Sequence, residues 1–249
     1  MPIILFVRLK PNWGYAVRRQ PQSKMRINFS RPPPSTLIGA LAYSLKRILG
    51  DRREIIVKDR RAISSANFVK NMLLSVNIRM IGETLNYGSL YRINMIYRGT
   101  ALSAITALPS AFTYSNRDIV LDIVYVFDES KLSLNEISEN ILERAGWGIT
   151  RIGSRESIFS AEKVSIDRVE VREFKKAETS FSFIFNEKIK YKGSVIVEYV
   201  ADWRKTDIGS YLNAPLIGIF YPKGRVTVFG EFLGIEYIID EKKEVIVVG

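Results

Sequence analysis

The chain has 249 residues, 47% of them apolar and 25% charged, with a formal net charge of +11. It contains neither Cys nor His, which excludes disulfides, thiolate or imidazole zinc sites, thiol nucleophiles, Ser-His-Asp triads and imidazole acid-base catalysis. Lys, Tyr, Ser, Thr and carboxylates remain for any chemistry, and no metal site, cofactor or small-molecule substrate is expected. Ile3 to Val7 is a short apolar run flanked by Arg8 and Lys10 rather than an export signal, and the uncharged stretch Gly99 to Asn116 is broken by Pro109. The expectation is a cytoplasmic protein with no membrane association, of a composition compatible with a thermophile.

The charge is unevenly placed. Residues 1–50 hold nine basic and no acidic side chains, residues 51–100 hold nine basic against four acidic, and the rest of the chain is by difference slightly acidic. A polyanion engaged by the first hundred residues is one reason for such a field; a solvated basic face with no partner is the other.

In chain order, Ile3 to Leu9 reads as the first strand, with Ile4, Phe6 and Arg8 alternating against Ile3, Leu5, Val7 and Leu9. Asn12 to Arg31 is a basic loop, longer than most connections and therefore a functional candidate. After Pro32, Pro33 and Pro34, Ser35 or Thr36 is the expected N-cap of a helix whose apolar stripe is Leu37, Ile38, Leu41, Leu45, Ile48 and Leu49, with Gly50 at C′. Residues 72–81 and 118–127 read as strands, Gly82 to Arg117 between them as an inserted hairpin, Ser133 to Ala145 as a second helix and Lys163 to Val171 as a fourth strand. The order β-α-β, insertion, β-α-β is the ferredoxin-like, or split βαβ, arrangement. From about residue 173 the chain turns to short strands at 181–185, 195–200, 216–221, 226–229, 235–239 and 245–248, an appendage packed on the first unit or semi-independent. The fold class expected is α+β: a ferredoxin-like (RRM-like) domain over 1–172, with a thumb-like hairpin at about 82–117, followed by a β-rich domain over 173–249.

The first strand, the segment Trp13-Gly14-Tyr15, the basic loop and Pro33-Pro34-Ser35-Thr36-Leu37-Ile38-Gly39-Ala40-Leu41 resemble the CRISPR-associated Cas-five (Cas5) family of RAMP proteins. Ile152-Gly153-Ser154-Arg155-Glu156-Ser157 is similar to another stretch of that family, and the pair most resembles its archaeal type I-A branch. The resemblance covers residues 1–50 and 146–170, about a third of the chain, and elsewhere rests on element order. It implies a non-catalytic subunit of the Cascade surveillance complex that grips the single-stranded 5′ handle of the guide RNA (crRNA), caps the backbone filament in antiviral defence and contacts the backbone and large subunits.

The residues themselves are compatible with that role. A helix N-terminus with Ser35 and Thr36, beside Arg18, Arg19, Lys24, Arg26 and Arg31, is a ready phosphate site, although plain helix initiation explains Pro-Pro-Ser-Thr equally. Gly39 is expected to serve close helix-sheet packing. Trp13 and Tyr15 are base-stacking candidates or core residues. In the insertion, Tyr91, Arg92, Tyr97 and Arg98 match the thumb that family members press between bases. Arg151, Ser154 and Arg155 lie in a glycine-containing loop suited to a phosphate nest, or to an ordinary surface pair. Two alternatives stay open: a metal-independent endoribonuclease that processes precursor crRNA, as in the type I-C branch, which here would lack imidazole, and an RNA-binding module outside CRISPR.

Overall fold

A computed structural model describes residues 1–12, 14–17, 19, 28–58, 60–82, 85–97, 100–112, 119–155, 157–210 and 214–248, with the backbone alone at 58, 85–97 and 100–112. The elements in chain order are β1 (Ile3–Pro11), β2 (Gly14–Tyr15), α1 (Pro34–Ile48), β3 (Ile55–Lys58), β4 (Arg61–Ser64), α2 (Asn67–Lys70), β5 (Leu73–Ile81), β6 (Leu85–Tyr97), β7 (Thr100–Phe112), β8 (Val120–Phe127), α3 (Glu129–Leu134) and α4 (Glu139–Trp147). They continue as β9 (Phe159–Arg168), β10 (Arg172–Thr179), β11 (Phe183–Ile184), β12 (Ile189–Lys192), β13 (Val195–Ala201), β14 (Leu216–Pro222), β15 (Val226–Ile239) and β16 (Lys242–Val247). The fold is a strand-rich mixture of α and β, and every strand pair named below is antiparallel.

The organising sheet has the order β5-β8-β1-β9. Period-2 geometry sends alternate residues of β1 to opposite faces, and both faces are covered. Ile3, Leu5, Val7 and Leu9 join Leu37, Ile38, Leu41 and Leu45 of α1 and Leu142 and Ala145 of α4 in one core. Ile4 and Phe6 join Val124 and Val126 of β8 and meet Phe181, Ile235, Tyr237, Ile239 and Ile246 from the C-terminal strands. The C-terminal strands therefore close the sheet face that the helices leave free. Each fully buried Leu or Ile contributes about 1.5–3 kcal/mol, so α1 is held mainly by its four-residue stripe.

The contact between the first sheet and the C-terminal strands is polar where the apolar run of β1 stops. Arg8, Asp122 and Arg79 are register partners across β1, β8 and β5. Asp122 is fully buried; it accepts from Arg8 Nε at 2.7 Å and from Arg79 Nε at 3.0 Å. Arg8 reaches on to Asp240 at 2.5 Å and Arg79 to Glu244 at 3.5 Å. A buried carboxylate between two guanidiniums satisfies the condition under which charge is tolerated inside a protein. Asn77 Nδ2 donates to the carbonyls of Ser182 (2.7 Å) and Val247 (3.0 Å), adding a second seam.

Several sequence expectations are corrected here. Helix α1 starts two or three residues earlier than read, at Pro34, with Pro33 as N-cap and no side-chain cap bond, so neither Ser35 nor Thr36 caps it. Three prolines pre-set the backbone, and Pro at N1 needs no N–H partner. Gly50 does take the C′ position, at φ 79°. The segment read as a single helix over 133–145 is two: Asp128 accepts from Ser130 N–H to start α3, Ser138 accepts from Ile141 N–H to start α4, and Glu136 between them has φ 56°. Leu134, expected inward, is 82% exposed. The readings of 226–229 and 235–239 as separate strands become the single β15, whose Gly230 has φ 123°. An added Cβ at Gly39 would meet nothing within 4 Å, so close packing is not its role.

Candidate nucleic-acid interface

The site is built where the two motif segments meet. Gly14 and Tyr15 form β2 against the end of β7, opposite Phe112 and Ala111, which ties the start of the basic loop to the base of the β6–β7 hairpin. Phe29 N–H donates to the Val17 carbonyl at 2.8 Å, closing the loop on itself. Ser154 N–H donates to the Ala16 carbonyl at 2.9 Å, and Ala16 N–H to Ser157 Oγ at 2.9 Å, 141 positions away. Ser154 and Ser157 hydroxyls lie 2.9 Å apart. Gly153 has φ 92°, and a Cβ there would collide with the Ala16 carbonyl, so the turn requires glycine twice over. The Gly153–Ser157 loop and residues 14–17 thus form one surface.

A buried carboxylate anchors the other end of the basic loop. Glu198 of β13 accepts from Ser30 N–H at 3.1 Å and Ser30 Oγ at 2.7 Å, and it pairs with Arg19. Arg19 also lies over the Phe29 ring at 5.5 Å. Tyr15 Oη donates to the Ser30 carbonyl at 2.5 Å, and Arg31 Nη1 donates to the same carbonyl at 2.9 Å. Tyr15 is 1% exposed and packs on Phe159, and burial pushes its hydroxyl up to about 12. Its ring supports the loop and offers no face for stacking.

Directly after this anchor the chain enters α1. Thr36 and Leu37 N–H both donate to the Pro33 carbonyl, at 2.9 and 3.2 Å, so of the three amides expected to be free at the helix start only that of Ser35 is left without a partner among the described residues. Ser35 and Thr36 side chains are partly exposed, as is Ser154, while Arg151 and Arg155 are exposed. Trp13, Arg18, Lys24, Arg26 and Arg98 lie outside the described residues. For Tyr91, Arg92 and Tyr97 the structure gives backbone position only, in the hairpin β6–β7, which pairs without interruption from Leu85↔Phe112 to Tyr97↔Thr100. The structure brings Tyr15, Arg19, Arg31, Ser35, Thr36, Arg151, Ser154 and Arg155 onto three connected segments. Sequence reading missed Glu198, which carries no local signal because its partners are more than 160 positions away.

Two curated proteins of Saccharolobus solfataricus are similar to this chain. "CRISPR-associated protein Cas5 3" is 27% identical over 202 residues, 80% of this chain and 79% of that protein. "CRISPR system aCascade subunit Cas5 1" is 28% identical over the same shares. The chain is thus similar to Cas5 proteins over four fifths of its length. No family model matches it. Among solved structures, the crystal structure of a CRISPR protein from Archaeoglobus fulgidus superposes with a TM-score of 0.63 at 18% identity, covering 99% of this chain and 98% of that one, a likeness of fold. Among the described residues, no group of three carboxylates could hold a metal ion, and no helix is long and apolar enough to cross a membrane.

Proposed function

We propose that this chain is a Cas5 protein, a non-catalytic subunit of a type I-A CRISPR surveillance complex, binding the single-stranded 5′ handle of crRNA and capping the backbone filament. In this reading residues 1–172 form a ferredoxin-like RNA-binding domain, the β6–β7 hairpin is its thumb, and residues 173–249 form a β-rich domain. The backbone and large subunits are its protein partners. The observation that carries it is the joining of residues 14–17 to the Gly153–Ser157 loop by the Ala16 hydrogen bonds, beside a chain that runs through Ser30 and Arg31 into the helix start. In this reading the Ser35 amide, the hydroxyls of Ser35, Thr36 and Ser154 and the exposed guanidiniums of Arg151 and Arg155 supply the donors that phosphate recognition needs. The printed name of one relative, an aCascade subunit, supports the assembly.

A non-catalytic role agrees with the acid-base groups present. Burial raises the hydroxyls of Tyr125 and Tyr221 well above the ordinary phenol range, and that of Tyr237 likewise, so none of these is poised to exchange a proton near neutrality.

The test is co-purification of the tagged chain from its host, followed by sequencing of bound small RNA. The expected result is a set of RNAs of varied interior sharing one 5′ sequence, recovered with backbone and large subunits. Recovery of ribosomal or messenger RNA instead would place the protein outside CRISPR. New 5′ ends generated by the purified chain from precursor RNA, abolished by one Lys or Tyr substitution, would make it a nuclease.

A further inference from the structure

The outer surface of α1 carries a cluster in which only Arg151 is shared with the handle site. Tyr43 is 40% exposed, and two guanidiniums lie over its ring, Arg47 at 4.3 Å and Arg151 at 5.9 Å. Trp147, at the end of α4, is 47% exposed. The two helices approach closely at Ser44 and Gly148, the residues that follow Tyr43 and Trp147 in the chain: a Cβ at 148 would collide with Ser44 Oγ. Arg144 and Arg155 are exposed nearby in sequence, with Glu143 also exposed on α4. Among the described residues none of Arg47, Arg144, Arg151 or Arg155 has a carboxylate partner, whereas Arg8, Arg19, Arg53, Arg79, Arg168, Arg172, Arg204 and Arg225 each have one.

We infer that Tyr43, Arg47, Trp147 and Arg151 form a second contact for single-stranded RNA, on the helical side of the protein, holding one phosphate and one base. The inference rests on the RNA-binding reading above and adds a site to it. Tyr43 is the platform that orients the two guanidinium planes; stacked on its ring, they keep their N–H edges free for a shared phosphate. Trp147 supplies the open aromatic face on which a neighbouring base stacks. Toward the N-terminus, the adjoining surface of α1 is Ala40, Gly39 and Thr36, all partly exposed, and Gly39 opens onto empty space. This low surface of small side chains lets a sugar-phosphate chain approach closely and offers little of the apolar area that the centre of a protein-protein contact needs. Arg151 sits in the loop that also carries Ser154 and Arg155, so the two RNA contacts share an edge.

The test uses the full-length chain and a fluorescently labelled single-stranded RNA carrying the co-purified 5′ sequence. Arg47→Gln and Trp147→Leu alter exposed side chains that the handle site does not use. Arg47→Gln should reduce the slope of log K against log salt by about 0.7, the value for one phosphate on a single strand. Trp147→Leu should weaken binding about 5- to 100-fold, as loss of one stacked base does, and should abolish part of the RNA-induced quenching of tryptophan fluorescence. Wild-type binding with unchanged affinity, slope and quenching in both variants would overturn this site and leave the handle reading intact. Loss of a protein subunit from the co-purified complex, with RNA affinity unchanged, would overturn it in favour of a protein-docking surface. Failure of the wild type to bind the RNA at all would remove the handle reading and this inference together.

Discussion

Glu198 decides more about the basic loop than any arginine in it. Its carboxylate is 4% exposed and holds Ser30 by two hydrogen bonds and Arg19 by charge. Replacing Arg19 with Ala therefore leaves a buried carboxylate with only neutral donors, at a cost of about 1–3 kcal/mol. Glu198→Gln keeps an acceptor for Ser30 but releases the guanidinium. The two variants should part company in RNA binding: Arg19→Ala loses stability with little change in salt slope, because that charge is already neutralised, whereas Glu198→Gln adds a free cation and steepens the slope. Unfolding midpoints and RNA dissociation constants on both proteins check this. A flattened slope in Arg19→Ala would mean that the arginine leaves Glu198 for phosphate when RNA binds.

At the scale of elements, α1 is specified by packing and by proline rather than by a cap. With no side-chain cap bond at its start, the double change Ser35→Ala/Thr36→Ala should shift stability by less than the roughly 1 kcal/mol of a true N-cap. Gly39→Ala should stabilise by up to about 1 kcal/mol, since glycine mid-helix is unfavourable and the new methyl meets nothing. Thermal or denaturant unfolding of both variants measures the pair; a large loss in the double mutant would restore the cap. The apolar stripe of α1 and the run of β1 were legible because their periods match their geometry, and the near-continuous apolar character of Ile3 to Leu9 already carried the signature of a sheet covered on both faces. The break between α3 and α4 was hidden because Leu134, Ile137 and Ile141 keep helical spacing across it, although Asp128 and Ser138 are ordinary N-caps. Strand β10, Arg-Glu-Phe-Lys-Lys-Ala-Glu-Thr, was missed since most of its side chains face water. At the site, the loop and glycine motifs could be read locally; their union through Ala16, and the anchor at Glu198, depend on contacts that only the folded chain creates.

Across the whole molecule, the lopsided charge of the sequence is partly spent in folding. Cations of the first hundred residues meet acids from later in the chain: Arg8 with Asp122 and Asp240, Arg79 with Asp122 and Glu244, Arg19 with Glu198, and Lys70 with Asp207 at 3.9 Å. Part of the surplus that suggested a polyanion is thus an internal clamp between the first sheet and the C-terminal strands, and among the described residues the exposed arginines of α1, α4 and the 151–155 loop, which have no carboxylate partner, remain to face a ligand. The pH dependence of stability follows. The Arg8 hydrogen bond holds Asp240 below its ordinary 3.8, and bonds from Ser130 and the amino terminus lower Asp128 and Glu129. Folded values below unfolded ones give stability that is complete above the unfolded value and lost as pH falls through the folded value. At the other end, burial raises Tyr15 from 10.0 to about 12. The unfolded phenol then releases its proton first, and stability falls as pH rises from about 10. With no His or Cys side chain to titrate between, denaturant midpoints should be nearly flat from about pH 5 to 9 and fall on either side. Asp240→Asn should blunt the acid limb by less than about 1 kcal/mol, because that pair is half exposed. Tyrosinate absorbance from the buried phenols Tyr125 and Tyr221 should rise only as the chain unfolds. A stability change centred between pH 6 and 8 would contradict this assignment of the ionisable groups.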